Sequence, residues 1–302
     1  MKLIGILSRI VRHPFNKHTR LNSRLNSALK FLAWQIGTRI LPHYSIVVNF
    51  VETSRLIVCR GMAGATGNIY TGLYEFEDMT FVLHFLRKFD SFIDIGANVG
   101  VYTVLAGKVV GAKCLSVEPV PKTFALLMDN LRINGIDTTT AAVNIGLGNQ
   151  NTEVNFTSSL DATNHVVLVD DGLQDLVKIP IRKLNIIAQD FEPTLIKIDV
   201  EGYECEVLTG GDEIFLTKSL QAVIIELNES GNRYGNDDNS IHELMLKYGF
   251  EPYEYKPFSR EIVVLDILNR RSQGNIIYIR DIEFALNRVE SARQFKVNNI
   301  FL

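Results

Sequence analysis

The sequence predicts an α/β protein whose core is a parallel sheet covered by helices on both faces. Short apolar runs recur through the middle of the chain, separated by helical patterns of about 10–15 residues, the signature of repeated βαβ units. One of those runs ends in Gly96-Ala-Asn-Val-Gly100, a glycine turn leading into a helix. The composition is that of a globular protein: 302 residues, 46% hydrophobic and 22% charged. At about 150 residues per domain, that length suits one large domain or two small ones. No run approaches the roughly 18 apolar residues of a membrane-spanning helix. Cys59, Cys114 and Cys205 are odd in number and far apart, so neither a disulfide framework nor a zinc site is expected. A reducing, cytoplasmic setting follows from that cysteine usage.

The chain opens with an asymmetric charge distribution. Lys2, Arg9, Arg12, Lys17, Arg20, Arg24, Lys30 and Arg39 precede the first acid, Glu52. They leave 23 Lys and Arg against 34 acids in the remainder, a balance of −11. In residues 1–12, Leu3, Ile4, Ile6, Leu7, Ile10 and Val11 form one helical stripe, with the basic residues mostly elsewhere. Arg9 and Arg12 interrupt it, and no small-residue cleavage site follows, which argues against a signal peptide. Such a helix would either lie on an anionic membrane surface or glycan, or pack its stripe on the core as a lid. The lid is the commoner case and the expectation here. A second helix is expected over about residues 22–41, with Leu25, Leu29, Leu32, Ile36 and Ile40 near one face. The acidic remainder argues against nucleic acid as a partner.

The sheet elements follow in order. Ser91–Ile95 reads as a strand, then comes the glycine turn and a helix from Val101 to about Val110. Lys113–Val117 is the next strand, ending at Glu118-Pro119, and a helix covers Lys122–Asn134. Thr138–Val143 is a third strand, and Thr194–Asp199 and Gln221–Glu226 are the fourth and fifth, with a helix from Glu204 between them. Phe250–Tyr255 and Asn275–Ile279 read as a closing antiparallel pair. Residues 146–192 form an insertion with strand-like pieces at Glu153–Thr157 and Lys178–Ile181.

The glycine turn and Glu118 are the first informative pair. A strand running into Gly-x-x-x-Gly and a helix brings backbone N–H groups close to a ligand. In an open parallel sheet the ligand lies beyond the carboxyl ends of the strands. A carboxylate at the end of the neighbouring strand suits the vicinal hydroxyls of a ribose. Asn98 occupies the place of the middle glycine in G-x-G-x-x-G, crowding the spot a diphosphate would need, and Asp94 also opposes one. Both suit the cationic amino-acid end of S-adenosylmethionine better than NAD, which is kept as the alternative cofactor.

Phe92-Ile-Asp-Ile-Gly-Ala-Asn-Val-Gly-Val-Tyr-Thr103, Val117-Glu-Pro-Val-Pro121 and Ile196-Lys-Ile-Asp-Val-Glu-Gly-Tyr-Glu204 together resemble the FkbM-type methyltransferases, which are class I S-adenosylmethionine-dependent enzymes. Gly72-Leu-Tyr-Glu75 and Gly274-Asn-Ile-Ile-Tyr278 extend the likeness over about residues 46–282. The resemblance implies a Rossmann-like, mostly parallel sheet of seven strands with one reversed. It implies methyl transfer, commonly to a sugar or polyketide hydroxyl. It also implies that Asp94, Gly96, Asn98 and Gly100 surround the methionine part, that Glu118 holds the ribose and Ala142-Val143-Asn144 lies near the adenine, and that Ala97, Tyr102 and Pro119 belong to the same cofactor site. Leu184-Asn-Ile186 departs from the family's frequent Leu-Asp pair. The domain organisation expected is a basic helical extension (1–45), the methyltransferase domain (46–282) and a C-terminal tail (283–302).

A sugar hydroxyl needs a base, which typically contributes about 10²–10⁴-fold. Asp199 and Glu201 are two apart at a strand end, where only a turn into Gly202 would aim both at one cleft. Asp199 is expected to orient cofactor or acceptor, and Glu201 or His165 to take the proton. Glu226 ends the next strand and would join them. Three carboxylates suit Mg²⁺ or Ca²⁺ in principle, but no decisive metal spacing is present and no metal is expected. The acceptor is expected to be a small molecule or glycan. A non-catalytic cofactor-binding protein remains a further alternative.

Overall fold

The computed structural model describes residues 2–13, 21–40, 44–157, 164–167, 176–267, 274–298 and 300–302. Two helices, Lys2–Arg12 and Leu21–Ile40, precede an antiparallel hairpin of β1 (Ile46–Asn49) and β2 (Arg55–Val58). Helices Ala63–Thr71 and Phe76–Phe85 follow. The core strands are β3 (Ser91–Ile95), β4 (Lys113–Val117) and β5 (Thr140–Val143). The insertion folds as a small sheet of β6 (Gly146–Leu147), β7 (Thr152–Thr157), β8 (Val166–Val167) and β9 (Leu176–Arg182). The main sheet then resumes with β10 (Leu195–Ile198), β11 (Ala222–Leu227), β12 (Glu251–Lys256), β13 (Glu261–Val264) and β14 (Gly274–Ile279).

The main sheet has the order β13-β12-β14-β11-β10-β3-β4-β5. The five strands from β11 to β5 are parallel, and β14 runs antiparallel to both β11 and β12. This is the expected α/β, Rossmann-like architecture, with eight strands rather than seven. The additional strand, β13, pairs antiparallel with β12 at the sheet edge and is a second reversed strand. It buries neither face, so it lacks the apolar pattern that marks the others.

Helices on both faces bury all of β10 and nearly all of β3 and β11. In β3, Phe92 packs into one core cluster while Ile93 and Ile95 pack into the other. The chain steps outward from β3 through β4 to β5, then returns to lay β10 on the opposite side of β3. That reversal opens a crevice beyond the carboxyl ends of β3 and β10.

Residues 283–302, expected as a tail, belong to the core instead. The helix Ile282–Glu290 buries Ala285 and Val289, while Phe295 and Val297 fill the same cluster as Phe81 and Phe85. The hairpin of β15 (Lys296–Val297) and β16 (Ile300–Phe301) bridges back to Val51. Among the described residues, no helix is long and apolar enough to cross a membrane.

Candidate active site

The crevice encloses about 320 Å³ and is lined by the ends of β3, β4 and β10, the glycine loop, and β8 and β9 of the insertion. Parallel pairing sets Asp94, Lys197 and Ser116 in one row across β3, β10 and β4. Asp94 Oδ2 accepts a 2.6 Å bond from Thr103 Oγ1, which lies 2.7 Å from Ser116 Oγ. Burial raises the Asp94 carboxyl above its ordinary value, against the pull of Lys197.

The glycine loop is fixed from two sides. Gly96 and Ala97 each donate to the Val117 carbonyl at 3.0 Å. Gly96 has φ +76, and a Cβ there would collide with the Asp199 carbonyl oxygen. Only glycine lets β3 and β10 close to this distance. Asn98 also lies in the left-handed region, at φ 50, and its N–H donates to Glu118 Oε2 at 2.9 Å. The other carboxylate oxygen of Glu118 accepts from Val120 N–H at 2.9 Å. Burial nonetheless raises Glu118 to about 7. Asn144 Nδ2 donates to the carbonyls of Glu118 and Pro119, holding that strand end in place.

At the end of β10 the turn that the sequence requires is present. Glu201 has φ 53 and Gly202 φ 103, and a Cβ on Gly202 would lie 2.6 Å from the Ser230 carbonyl oxygen. The turn brings carboxylate oxygens of Asp199, Glu201 and Glu226 within 4.8 Å of one another. Burial, with Asp199 and Glu204 beside it, raises Glu201 to about 7. Burial and the Asp199 and Glu201 charges push Glu226 well above the carboxylate range. These oxygens are of the type a hard divalent cation takes, but Lys197 Nζ already lies 2.8 Å from Asp199 Oδ2.

Lys197 and Glu75, which stand in the sequence motifs without an expected role, are site residues as well. Lys197 is 2% exposed, between Ile196 and Ile198, with its Nζ 4.8 Å from the centre of the Tyr102 ring. Burial opposes its charge, yet Asp199, Glu75 and Asp94 more than offset this and hold it above an ordinary lysine. Asn275 Nδ2 donates to Glu75 Oε1 at 2.9 Å and to Asp78 Oδ2 at 3.1 Å. The available signal was a lysine inside an otherwise apolar strand, aligned with Asp94.

The remaining expected residues divide. Ala97, Gly96, Asn98, Tyr102, Glu118 and Pro119 line the crevice. Gly100 and Val143 are not among the lining residues; Gly100 caps the helix Val101–Val104 with φ 84, and Val143, half-buried, packs against the second core cluster. His165 donates its N–H to Thr157 Oγ1, and its neighbours Asn164 and Val166 face the crevice while it does not. Asn185 lies outside the crevice, bonded to Asp212 at 2.7 Å. Residues 161–163, beside His165, lie outside the described residues.

The model of the FkbM methyltransferase domain matches residues 94–252, which contain the glycine loop, Glu118, Lys197, Asp199, Glu201 and Glu226. The chain belongs to the FkbM methyltransferase family. The chain is 30% identical over 140 residues to hexuronic acid methyltransferase AglP of Haloferax volcanii, covering 45% of this chain and 54% of AglP. It is 28% identical over 166 residues to methyltransferase 1 of Beauveria bassiana, covering 47% of this chain and 66% of that one. The matched segments thus span little more than half to two thirds of these relatives. Solved structures resemble it at lower identity. Precorrin-6y C5,15-methyltransferase of Geobacter metallireducens matches with a TM-score of 0.37 and 13% identity, covering 68% of this chain and 89% of that one. TrmK of M. capricolum, solved with S-adenosyl-homocysteine, matches with a TM-score of 0.36 and 10% identity, covering 68% of each chain.

Proposed function

We propose that this methyltransferase uses S-adenosylmethionine to methylate a hydroxyl of a sugar, free or within a glycan or lipid-linked glycan. The observation that carries the cofactor is the acidic lining of the crevice, whose raised carboxyls are poised to ionise against a bound cation. Among its described lining residues are six carboxyl groups, Glu75, Asp94, Glu118, Asp199, Glu201 and Glu226, and one cation, Lys197. A sulfonium with an ammonium group gains from such a lining, whereas a dinucleotide diphosphate is repelled. The residues therefore fit S-adenosylmethionine and disfavour NAD.

When bound, S-adenosylmethionine supplies a methyl group activated for displacement by its positive sulfur. The protein's part is positioning, desolvation and removal of one proton. Glu118 would accept the ribose hydroxyls, its orientation already fixed by Asn98 and Val120 N–H. Asp94, Gly96 and Asn98 would surround the amino-acid end. Lys197 holds Asp199 by its 2.8 Å bond, leaving Asp199 as an oriented acceptor for the cofactor's ammonium or an acceptor hydroxyl. Glu201, raised to about 7, would take the acceptor's proton as a base matched to neutral pH. Its backbone strain, paired with Gly202, is of the kind found where a side chain must point into a site. His165 remains a second candidate for the base, one that would require its loop to turn toward the crevice.

The sugar acceptor is supported by the hexuronic acid named for AglP. Incubating the protein with methyl-labelled S-adenosylmethionine and extracted surface polysaccharides tests the proposal. Label in a base-stable sugar ether supports it, and label only in a carboxyl ester or an amine would replace O-methylation with another acceptor chemistry.

A further inference from the structure

The helix Leu21–Ile40 is apolar on two faces. One face packs inward: Phe31 is 1% exposed and meets Tyr70 edge-on with ring centres 5.3 Å apart, with Ile10 and Trp34 beside them. The opposite face carries Leu25, Leu29, Leu32, Ile36 and Ile40, all exposed, from 45% at Leu32 to 71% at Ile40. Their spacing places them on one stripe along about four turns. The stripe noted in the sequence is therefore an outer surface and not the packed side. Ile6, Tyr44, Ile46 and Val47 are further exposed apolar side chains of the same segment. A continuous apolar stripe of this kind marks a contact surface.

Charge selects the occupant. Residues 1–51 contain eight basic side chains and no acid. Arg39, exposed, flanks the stripe at its final turn, and Arg12 is exposed on the preceding helix. A second copy of this chain docking by two-fold symmetry would set this all-basic segment against itself. An anionic bilayer offers both what the stripe lacks and what the charges seek: an apolar boundary beneath negative headgroups. The exposed Tyr44 is of the type that settles at that boundary.

We propose that the helix Leu21–Ile40 seats its Leu25–Ile40 stripe on the surface of a membrane rich in anionic phospholipid, lying along the plane without crossing it. The helix Lys2–Arg12, packed beside Leu21–Ile40, leads to the rim of the crevice. His13, just past the first helix, bonds the Tyr74 carbonyl at 2.7 Å, and Tyr74 lines the crevice.

The test is cosedimentation of the full chain with phosphatidylglycerol–phosphatidylcholine vesicles and with phosphatidylcholine vesicles alone, with oligomeric state measured by light scattering. The wild type is expected to bind the anionic vesicles, and to lose affinity in high salt. Leu29→Asp with Ile36→Asp changes only exposed positions, so it should keep the wild-type melting temperature and lose about tenfold or more in vesicle affinity. Arg39→Ala should lose about fivefold by removing one surface charge. Equal binding to both vesicle types, or undiminished binding of the double aspartate variant, would overturn the proposal. So would a dimer that the double variant dissolves, with no vesicle binding, since the stripe would then be a self-association surface. None of these readouts involves methyl transfer, so their failure leaves the proposed activity untouched.

Discussion

Lys197 Nζ lies 2.8 Å from Asp199 Oδ2, two residues along the same strand end and on the same face of the sheet. That pair sets the electrostatics of the crevice, because Lys197 is the cation that faces Asp94, Glu75 and Asp199 together. Replacing it with an apolar side chain leaves buried carboxyls without their counter-charge. For Lys197→Met, breaking such a buried pair should cost about 3 kcal/mol or more at neutral pH. The deficit should shrink toward pH 5.5 as Glu201, which is raised to about 7 and whose charge Lys197 also offsets, takes up its proton. Urea denaturation of both proteins at the two pH values checks this, and a pH-independent deficit would count against the electrostatic account.

Glu201 is raised to about 7 by burial and by the neighbouring Asp199 and Glu204. If it is the base, turnover needs its ionised form, so kcat should climb with pH through about 7 and then level off. Glu201→Gln should reduce kcat by about a hundredfold and remove that limb, while cofactor affinity changes little. Steady-state rates from pH 5.5 to 9 decide it. An unchanged pH profile in the variant would move the role to another residue, with His165→Ala the next to test.

Buried acids also make stability depend on pH. Glu118, Glu204 and Asp78 are each raised by burial to about 7. Below their unfolded values both states are protonated. Between those values and about 7 the folded state holds the extra protons, so stability falls as pH rises and the penalty is complete above 7. The ligand-free protein should therefore melt at a higher temperature at pH 5.5 than at pH 8. A cationic ligand reverses part of that penalty, so the thermal shift from S-adenosylmethionine should be larger at pH 8 than at pH 5.5. Differential scanning calorimetry at the two values provides the check.

Gly96 is the position where β3 and β10 come too close for a side chain. Gly96→Ala introduces a methyl into the Asp199 carbonyl at a φ of +76. The cost should be about 2–4 kcal/mol, with cofactor binding lost even where the fold survives at low temperature. Gly135→Ala is the matched control, since it too has positive φ (65) but nothing lies within reach of its added Cβ. It should cost about 1 kcal/mol and leave binding intact.

The sheet was legible because its central strands are buried on both faces. Ser91–Ile95 and Lys113–Val117 are apolar runs bounded by turn residues, and the structure gives them those very limits. β1 and β13 escaped notice because each leaves most of its residues exposed, without the alternation that marks a half-buried strand. The helix Phe76–Phe85 buries nearly every residue, so it shows no periodic stripe to detect. Leu25 to Ile40 were correctly grouped on one face, but periodicity does not say which face turns inward; Phe31 and Trp34 settle that by packing. In the site, the glycine loop and Glu118 were readable because their roles are local to one turn. Lys197 was not, because a lysine is ordinarily solvated, and its reason to be buried comes from Asp94 and Glu75 on other elements.

Direct titration of the purified chain with S-adenosylmethionine by calorimetry, alongside NAD and with Glu118→Ala as the paired variant, addresses the central claim without needing the acceptor. Saturable one-site binding of S-adenosylmethionine, no heat from NAD, and about a tenfold or greater loss in the variant are the expected results. Heat from NAD with none from S-adenosylmethionine would contradict the assignment of this acidic crevice to a sulfonium cofactor.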